Sequence, residues 1–334
     1  MVTLIAGFED RVLEFADTSG SWARRTLLDG HRMEAVAAHP DDPQRLLVGT
    51  RDAGLHRSAD GGESWERVGH DVLGEHVSAI ASDPTDPDRF YAGTEPSRVY
   101  ATGDAGSTWT PLEGLADLPS AANWAFPPRP STHHVRWIEV DPSDPDRLYV
   151  AVEAGALLRS FDGGETWVDR VPSGPRDTHS MAMHPDEPGR AWAAAGDGFA
   201  VTEDGGDTWT NPEEGLDHRY CWSVVLDPGD PERALLSAAS GARRAHTSTA
   251  AESYVYRWAD PDADSWELAG AGLPHGDGML RPVIGTGTEP QEAWLVTNLG
   301  VWETADFGSE WQSVSVPWPE ALESQTVRGL TVIP

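Results

Sequence analysis

The sequence predicts an all-β protein folded as a seven-bladed β-propeller, with four antiparallel strands in each blade. Three observations lead to this prediction: an octapeptide that recurs seven times, an Asp-Pro-rich segment repeated ahead of it, and chain ends that complement each other. Because the repeats run through all 334 residues, we expect a single domain over residues 1–334 rather than two domains.

The octapeptide is clearest as SADGGESW, from Ser58 to Trp65. We expect each copy to be a hairpin turn, in which Asp accepts backbone N–H groups, Gly adopts a positive φ angle and Trp starts the next strand. The further copies are TGDAGSTW (Thr102 to Trp109), SFDGGETW (Ser160 to Trp167), TEDGGDTW (Thr202 to Trp209), TADFGSEW (Thr304 to Trp311) and the degenerate FADTSGSW (Phe15 to Trp22) and a segment ending at Trp266.

The pattern Ser/Thr-x-Asp-x-Gly-x-Ser/Thr-Trp resembles the Asp-box, or BNR repeat, of sialidases, sortilin-type receptors, xyloglucanases and Ycf48-like photosystem assembly factors. The resemblance covers the whole chain and implies a propeller in which the box joins the third and fourth strands of each blade. In that superfamily the box is structural, so we expect these aspartates to be turn residues rather than ligand-binding residues.

The second repeated segment supplies the other two strands of a blade. It is clearest as VRWIEVDPSDPDRLYVAV, from Val135 to Val152, and it recurs from Met33, Val77, Thr178 and Cys221. Two short apolar runs flank a turn that cannot continue a strand ladder, which predicts strand, turn and strand. Together with the octapeptide hairpin this gives four strands in roughly 42 to 45 residues, a length typical of a propeller blade.

The chain ends predict how the ring closes. Residues Leu4 to Gly7, Arg11 to Phe15 and the first octapeptide copy supply second, third and fourth strands without a first strand. Residues 326–334 form a first strand with nothing after it. We therefore expect the C-terminal strand 326–334 to complete the N-terminal blade, which leaves no free sheet edge.

Two insertions interrupt the repeat, at residues 110–133 and 240–254. The first follows a fourth strand and the second lies between a second and a third strand; in a propeller these connections share one face. Because sites are commonly built from long loops on a rigid scaffold, this face is the predicted functional surface. The alternative is that the loops only decorate the face or mediate contacts.

The charge balance is strongly acidic: all 24 basic residues are arginine, against 55 acidic residues, for a net charge of −31. Such a charge repels nucleic acid and anionic membranes, so we expect neither as a partner. Concentrated salt screens the self-repulsion, which favours a salt-accumulating halophile over the alternative, a GC-rich soil bacterium. The single cysteine, Cys221, and an N-terminus unlike a signal peptide predict a cytoplasmic protein, and we expect a monomer without a cofactor.

First strands line the central channel of a propeller, so their alignment predicts which residues face it. We call the position six residues before the turn proline the mouth ring. In the blade after Trp266, matching Trp294 to Trp192 places Gly287 at the proline position and adds Arg281 to this ring. The other members are Glu34, Ser78, Arg136, His179, Trp222 and Arg328.

Three arginines, Arg136, Arg281 and Arg328, are thus predicted to converge from separate blades on one opening. Placing like charges around a low-dielectric opening costs free energy unless acidic side chains or a bound anion offset them. Arginine also suits the recognition of carboxylate or phosphate, because its guanidinium group can donate two parallel hydrogen bonds. Two hypotheses follow: a closed network of arginines and carboxylates without a ligand, or an anion-binding pocket. The acids available near the opening are Glu9, Asp10, Asp52, Glu95, Glu153, Asp197 and the deeper Glu139.

Histidines and a tyrosine lie near the same opening in the predicted fold. They are candidates for proton transfer or metal binding, but their spacing matches no strong metal motif and we predict no metal site. They are His31, His76, His133, His134 and Tyr220, with His218 and His275 further out.

The resemblance to sialidases implies roles for some of these residues. Sialidases hold a substrate carboxylate with three arginines, use Tyr with a Glu partner as nucleophile, and use Asp as acid. By this resemblance the three arginines would hold the carboxylate and Tyr220, with Glu95 or Glu153, would be the nucleophile; His179 is a further catalytic candidate. The sequence departs from sialidases in its seven blades instead of six, and in offering only a late Arg281-Pro282 where they have an early Arg-Ile-Pro-like motif.

Our first functional hypothesis is a binding or scaffold propeller that takes a small anion or an acidic segment of a partner protein, as the resemblance to the non-catalytic Ycf48-like proteins also implies. The alternatives are a glycoside hydrolase or lyase acting on an acidic saccharide, and a metal-centred enzyme that uses the histidines and acids. The predicted ligand-binding residues are Arg136, Arg281, Arg328, Glu34, His179, Trp222, His76 and His134.

Overall fold

Antiparallel sheets of short strands make up almost all of the regular structure. A computed structural model describes residues 2–18, 20–39, 42–258 and 265–333. Within these ranges seven antiparallel sheets surround a central channel, which confirms the predicted seven-bladed β-propeller. Three predicted features lie partly or wholly outside the described residues: the turn proline Pro40, Ser19 of the first octapeptide copy, and the segment 259–264 ahead of Trp266.

The strands follow the chain blade by blade. They are β1 (Thr3–Gly7), β2 (Arg11–Asp17), β3 (Trp22–Asp29), β4 (Met33–His39), β5 (Asp42–Thr50), β6 (Leu55–Ser58), β7 (Glu66–Val68), β8 (Val77–Ser82), β9 (Phe90–Thr94), β10 (Val99–Thr102), β11 (Thr110–Leu112), β12 (Val135–Val140), β13 (Leu148–Val152), β14 (Ala156–Ser160), β15 (Thr178–Met183), β16 (Ala191–Ala195), β17 (Gly198–Thr202), β18 (Tyr220–Asp227), β19 (Asp230–Ala239), β20 (Ser253–Trp258), β21 (Glu267–Leu268), β22 (Val283–Gly285), β23 (Ala293–Thr297), β24 (Gly300–Thr304), β25 (Gln312–Ser313) and β26 (Gly329–Ile333).

Blade 1 combines β26 with β1, β2 and β3, and blades 2 to 7 take the remaining strands in chain order. In blades 4 and 5 the named strands number three, and the fourth is reduced to the single bridges Arg159–Val168 and Val201–Thr210. The fourth strands lie on the outer edge of each blade, and in blades 2 to 7 they make the shortest pairing, whereas β3 of blade 1 pairs with β2 over seven residue pairs.

Second and third strands are buried on both sides because each blade packs between two others. Every residue of β13 (LYVAV) and β16 (AWAAA) is buried, and both sequences are continuous apolar runs without alternation. The hydrophobic core lies between neighbouring blades: one cluster joins Trp192 and Phe199 of blade 5 to Val224 and Leu236 of blade 6. Adjacent blades therefore stabilise each other by burying a shared apolar layer.

The octapeptide is a hairpin turn held by its own side chains. In the copy beginning at Ser58, the Ser58 hydroxyl donates to Asp60 Oδ1 at 2.8 Å and accepts from the Gly62 N–H at 2.8 Å. The Ser64 N–H and hydroxyl donate to the two Asp60 oxygens at 2.9 and 2.6 Å. These hydrogen bonds, first those from Ser64, lower the pKa of Asp60 to about 2, which shows that the turn uses this carboxylate as an ionised acceptor.

Two of the octapeptide tryptophans also bind their blade to the connection from the preceding blade. The backbone N–H of Trp311 donates to the Ala271 carbonyl, and the backbone N–H of Trp266 donates to the Glu214 carbonyl, each at 2.9 Å. Close backbone approach at this junction requires glycine: Gly272 has φ +84°, and a Cβ there would lie 1.9 Å from the Trp311 carbonyl oxygen. The inter-blade junction is therefore a backbone contact that tolerates no side chain.

We expect Gly272→Ala to lower the free energy of unfolding by about 2 to 4 kcal/mol, because the substitution adds left-handed strain to a backbone collision. Urea titration at fixed salt measures this change. The matched control is Gly270→Ala, since Gly270 lies outside the positive φ range and a Cβ there would meet nothing closer than 4.0 Å. Equal stability of the two variants would contradict the proposed junction.

The ring closes as predicted, in blade 1. Strand β26 pairs antiparallel with β1 over five residue pairs, from Thr3–Ile333 to Gly7–Gly329. The side chains of Leu330 and Val332 join a hydrophobic cluster with Leu4 and Phe15. The first blade is thus assembled from both ends of the chain and leaves β1 without an unpaired edge.

Helices are short and lie in the connections. One α-helix, α1, spans Ala242–His246, and 3₁₀ turns span Leu115–Asp117, Pro119–Asn123, Ser248–Ala250 and Glu320–Leu322. No helix in the described ranges has the length and apolar character needed to cross a membrane. The predicted insertions thus carry most of the helical structure, and both contact the end of the channel at which first strands begin, as described below.

Candidate functional site

The first strands of all seven blades enclose a central cavity of about 780 Å³. Near the start of five of these strands the pairing register shifts by one residue, which is the mark of a β-bulge. A bulge turns the extra side chain away from its normal direction, and all five extra residues line the cavity. They are the mouth-ring residues Glu34, Ser78, Arg136, His179 and Trp222, and Arg328 of blade 1 lines the cavity beside them.

The predicted alignment of Arg281 is wrong by one residue. Val283 pairs with Val296 in blade 7, as Ser180 pairs with Ala194 in blade 5. Pro282 therefore takes the mouth-ring position, and Arg281 precedes it. The error arose because this blade lacks the Asp-Pro turn used to count in the others. Arg281 is 3% exposed and is not among the residues that line the cavity.

Arg136 is buried without a direct partner. It is 7% exposed and lines the cavity, yet across the described residues no oxygen accepts a hydrogen bond from it and no carboxylate lies within 4 Å. The guanidinium carbon lies 4.8 Å from the centroid of the Trp222 ring. Burial lowers the pKa of Arg136, and the charges of Glu153 and Glu34 oppose this from a distance. The closed network of arginines and carboxylates is therefore not formed around Arg136.

The other two arginines have partners. Arg328 lies 3.6 Å from a Glu9 oxygen and 3.7 Å from a Glu34 oxygen. Arg281 donates to His246 Nδ1 at 2.7 Å and, at 3.4 Å each, to the Thr326 hydroxyl and the Val327 carbonyl. Burial first, and then the charges of Arg328 and Arg136, lower the pKa of Arg281. The three guanidinium groups are thus close enough to repel one another.

Trp222 is the aromatic centre of the mouth. The Arg281 guanidinium carbon lies 3.6 Å from the centroid of its ring, closer than that of Arg136. The His179 ring lies 4.2 Å away at a tilt of 31°, and the His246 ring meets it edge-on at 4.9 Å. An indole face attracts cations, so Trp222 offsets part of the arginine repulsion while keeping the site desolvated.

A directed hydrogen-bond chain runs across the mouth. Arg281 can only donate, so His246 Nδ1 accepts and its Nε2–H donates to the Tyr220 hydroxyl at 2.9 Å. The Cys221 carbonyl can only accept, so His179 Nδ1–H donates to it at 2.6 Å. The Tyr220 hydroxyl therefore donates to the remaining His179 atom, Nε2, at 3.4 Å. These contacts fix one tautomer for each neutral histidine.

On the other side of the mouth, carboxylates and imidazoles alternate. His76 lies 3.7 Å from Glu34 and 3.1 Å from Glu95, whereas His134 lies 3.9 Å from Glu95 and 2.7 Å from Glu153. The rings of His76 and His134 are stacked with centroids 6.1 Å apart. The mouth therefore has a cationic side, with the arginines, and a side of paired acids and imidazoles.

Glu153 and the neighbouring Asp177 have pKa values shifted in opposite directions. Burial opposes ionisation of Glu153, but the hydrogen bond and charge of His134, then His179 and Arg136, outweigh it and hold the pKa of Glu153 well below its usual range. Burial, helped by the Glu153 charge, raises the pKa of Asp177 to about 6. Glu153 therefore stays ionised across the neutral range, whereas Asp177 takes up a proton as the pH falls toward 6; two carboxyl groups with separated pKa values are typical of acid–base sites.

Several predicted candidates lie apart from this cluster. The His31 ring lies 4.8 Å from the His56 ring at a tilt of 39°, His133 packs edge-on against Trp124, and His218 stacks on Tyr254. Other predicted acids also serve elsewhere: Asp10 pairs with Arg11, Asp52 accepts from the Arg32 N–H, Asp197 accepts from the Arg176 and Asp177 N–H groups, and Glu139 lines the channel wall while accepting from Trp137.

Two residues of the site were not predicted. His246 enters the mouth from α1 in the second insertion, where no sequence period predicts which side chain points inward. Asp177 precedes its first strand by one residue and accepts from the Ala154 N–H at 2.9 Å. Its position two residues before the mouth ring matches that of His76, His134 and Tyr220, so counting two residues further back in each blade would have found it.

The buried histidines predict a pH dependence of stability. Burial lowers the pKa of His179 to about 4 and that of His246 to about 2, from 6.5. A histidine whose pKa is lower in the folded state than in the unfolded state costs no stability above its unfolded pKa. As the pH drops below the unfolded pKa, the same histidine lowers the free energy of unfolding. We expect each ring to lower the free energy of unfolding by about 1.4 kcal/mol per pH unit between pH 6.5 and its folded pKa.

Urea titrations at several pH values between 7 and 5 measure this slope. We expect His246→Asn to have a shallower slope than the wild-type protein by roughly one proton's contribution. His275→Asn, which alters an exposed ring on the same face, should keep the wild-type slope. Parallel slopes for all three proteins would show that His246 is protonated in the folded state.

Comparison with known proteins identifies the fold. No protein-family model and no curated protein matches the sequence. Among the solved structures that match, an ancestral GH74 enzyme is 16% identical with a TM-score of 0.66, and the match covers 87% of this chain and 39% of that chain. The GH74 xyloglucanase from Xanthomonas campestris is 18% identical with a TM-score of 0.67, and the match covers 94% of this chain and 52% of that chain. YCF48 bound to D1 peptide also matches, with 16% identity and a TM-score of 0.59, over 90% of this chain and 92% of that chain.

This chain thus spans about half or less of the two GH74 chains, but nearly the whole of YCF48. At these identities the likeness establishes the β-propeller fold. The predicted resemblance to xyloglucanases and Ycf48-like proteins is confirmed at that level, whereas the finer relation to Asp-box proteins and sialidases stays a prediction.

Proposed function

We propose that this protein is a binding or scaffold propeller that takes an anionic group at the mouth of its central channel, either a small carboxylate or phosphate or an acidic segment of a partner protein. We further propose that it works as a monomer in the cytoplasm of a salt-accumulating organism, where its charge of −31 is screened. The octapeptides serve in this proposal as Asp-box turns that hold the ring together.

The observation that carries the proposal is Arg136. A buried guanidinium without a hydrogen-bonding partner costs free energy, and natural proteins rarely leave one so unless another group completes it. Arg136 lines the cavity, as Arg328 does, and its guanidinium carbon lies 4.8 Å from the centroid of the Trp222 ring. A carboxylate or phosphate would accept hydrogen bonds from the guanidinium N–H groups of Arg136, and its negative charge would lower the repulsion among the three arginines.

The structural neighbours support the class of ligand without deciding it. YCF48 was solved with a D1 peptide bound, so a propeller of nearly this length is able to bind a peptide segment. In this chain the insertions rise around the mouth, with α1 supplying His246 and the first insertion supplying Arg129, which pairs with Glu95. A peptide carboxylate reaching Arg136 would pass between these two loops.

Calorimetric titration and thermal shift in molar KCl test the proposal. The probes are phosphate, glucuronate, N-acetylneuraminate and an acidic decapeptide, each against the wild-type protein. We expect at least one to bind, and Arg136→Gln to weaken it about tenfold or more, because a charge-assisted hydrogen bond contributes roughly 1.5 to 3 kcal/mol.

The matched control is Arg67→Gln, which removes the same charge from an exposed position on the outer strand β7. It should bind as the wild-type protein does. Binding that survives Arg136→Gln, or the failure of every anion to bind the wild-type protein, would refute the proposal.

A second candidate function is hydrolysis of an acidic saccharide. It is favoured by Glu153 and Asp177, whose oxygens lie within 4.8 Å of each other and whose pKa values are shifted in opposite directions. Burial raises the pKa of Tyr220, which works against the sialidase-like use of this residue as a nucleophile. Turnover of an acidic saccharide that is lost in Asp177→Asn would support this function, whereas stabilisation without turnover supports binding alone.

A further inference from the structure

Three side chains with metal-ligating atoms converge beside the mouth. Within the described ranges, one carboxylate oxygen each from Glu153 and Asp177 and one ring nitrogen of His179 all lie within 4.8 Å of one another. Asp177 Oδ2 is 3.7 Å from His179 Nε2, too far for a hydrogen bond but close enough for both to reach one ion. The residues come from blades 4 and 5 and are brought together by the fold.

Each of the three ligands has its other polar atom occupied. His179 Nδ1 donates to the Cys221 carbonyl, Asp177 Oδ1 accepts from the Ala154 N–H, and Glu153 Oε2 lies 2.7 Å from His134 Nε2. Metal-ligating histidines commonly donate their second ring nitrogen to a backbone carbonyl in this way, and ligating carboxylates are themselves hydrogen-bonded. Among the described residues, Asp177 Oδ2 accepts no hydrogen bond. His179 Nε2 accepts only the long bond of 3.4 Å from the Tyr220 hydroxyl, which a metal ion would replace.

The electrostatics favour a cation at that centre. Two carboxylates this close repel each other in a partly buried site, and a divalent ion between them converts the repulsion into attraction. Arg136 forms no salt bridge with either carboxylate within the described residues, but its charge acts on Glu153 and His179 and therefore opposes part of this attraction. Two oxygen ligands and one imidazole suit a divalent first-row metal ion better than Mg²⁺ or Ca²⁺, which prefer oxygen alone.

We propose that Glu153, Asp177 and His179 form a binding site for a divalent transition-metal ion such as Zn²⁺ or Mn²⁺. Three protein ligands leave at least one coordination position for water or for an anion. The site does not rest on the anion-binding proposal, since its ligands are different side chains. The proposal departs from the expectation, drawn from local spacing, that the histidines form no metal site, because Glu153 lies far in sequence from Asp177 and His179.

Titration of protein freed of metal with EDTA tests the site. CoCl₂ is added and the visible absorption of bound Co²⁺ is followed, with no anion other than chloride present. We expect one ion per chain, displaced by ZnCl₂, and at least a tenfold loss of affinity in Asp177→Asn and in Glu153→Gln. Near-UV circular dichroism establishes that each isosteric variant is folded before its affinity is compared.

The matched control is His76→Gln, which alters the other imidazole flanked by two carboxylates at the mouth. It should bind Co²⁺ within about twofold of the wild-type protein, a small change beside the effect of losing a ligand. Arg136→Gln should also retain Co²⁺ while losing anions, so that the two proposals fail separately. Absence of bound Co²⁺, or a loss confined to His76→Gln, would overturn the assignment.

Discussion

Deletion of residues 326–334 is expected to abolish the cooperative folding of this protein. The deletion removes β26, which forms the innermost strand of blade 1 and pairs with β1 over five residue pairs. It also removes Leu330 and Val332 from the cluster around Leu4 and Phe15, and it exposes the edge of β1. Lost burial and lost ladder hydrogen bonds together amount to on the order of 5 to 10 kcal/mol, which is comparable to the whole stability of a typical domain.

Urea titration followed by tryptophan fluorescence measures the effect, with the wild-type protein showing one sigmoidal transition and the deleted chain none. A synthetic peptide of residues 326–334 should restore the transition when added to the deleted chain. The control peptide carries Leu330→Asp and Val332→Asp, which keep the backbone but remove the apolar contacts. A deleted chain that unfolds cooperatively at the wild-type midpoint would mean that the seam contributes nothing to stability.

Glu153→Ala is expected to lower the free energy of unfolding by about 1 to 3 kcal/mol, because it leaves the buried His134 ring without its hydrogen-bond partner. Glu153 is the carboxylate whose charge most offsets the burial of Arg136, and it also holds His134 at 2.7 Å. The same change removes the carboxylate whose charge most offsets the burial of Arg136 and Arg281. Anions should therefore bind the variant more tightly than they bind the wild-type protein, although the variant is less stable.

A double-mutant cycle with Arg136→Met separates these effects. If Glu153 acts through Arg136, the double variant should recover part of the stability lost in Glu153→Ala. Thermal melts with and without phosphate supply the second measurement: the phosphate-induced shift should grow in Glu153→Ala and vanish in Arg136→Met. Strict additivity of the two substitutions would show that the two side chains do not interact.

The fold was predictable because each blade repeats its turns in the sequence. The octapeptide marks the hairpin by Asp, Gly and Trp at fixed positions, and the hydrogen bonds around Asp60 show why those residue types recur. The closure was predictable because one end lacks a first strand and the other end supplies one. The short fourth strands of blades 4 and 5 were not predicted, since strand length at a blade edge depends on packing rather than on the repeat.

The candidate site was predictable only where the repeat extends into it. Counting from the turn proline placed Arg136, His179 and Trp222 at the cavity because their strands share one bulge register. The count failed at Arg281, where no Asp-Pro turn fixes the register. It gave no information on His246, whose position depends on how an irregular insertion folds back onto the mouth.

The burial of Cys221 has a practical consequence. This residue is the only cysteine of the chain, its side chain is fully buried beneath the mouth, and its carbonyl anchors His179. Burial also raises the pKa of its thiol, which keeps it unreactive while the blade is closed. The rate at which a thiol reagent labels the native protein therefore reports how often blades 5 and 6 separate, and a ligand that holds them together should slow this labelling in proportion to its occupancy.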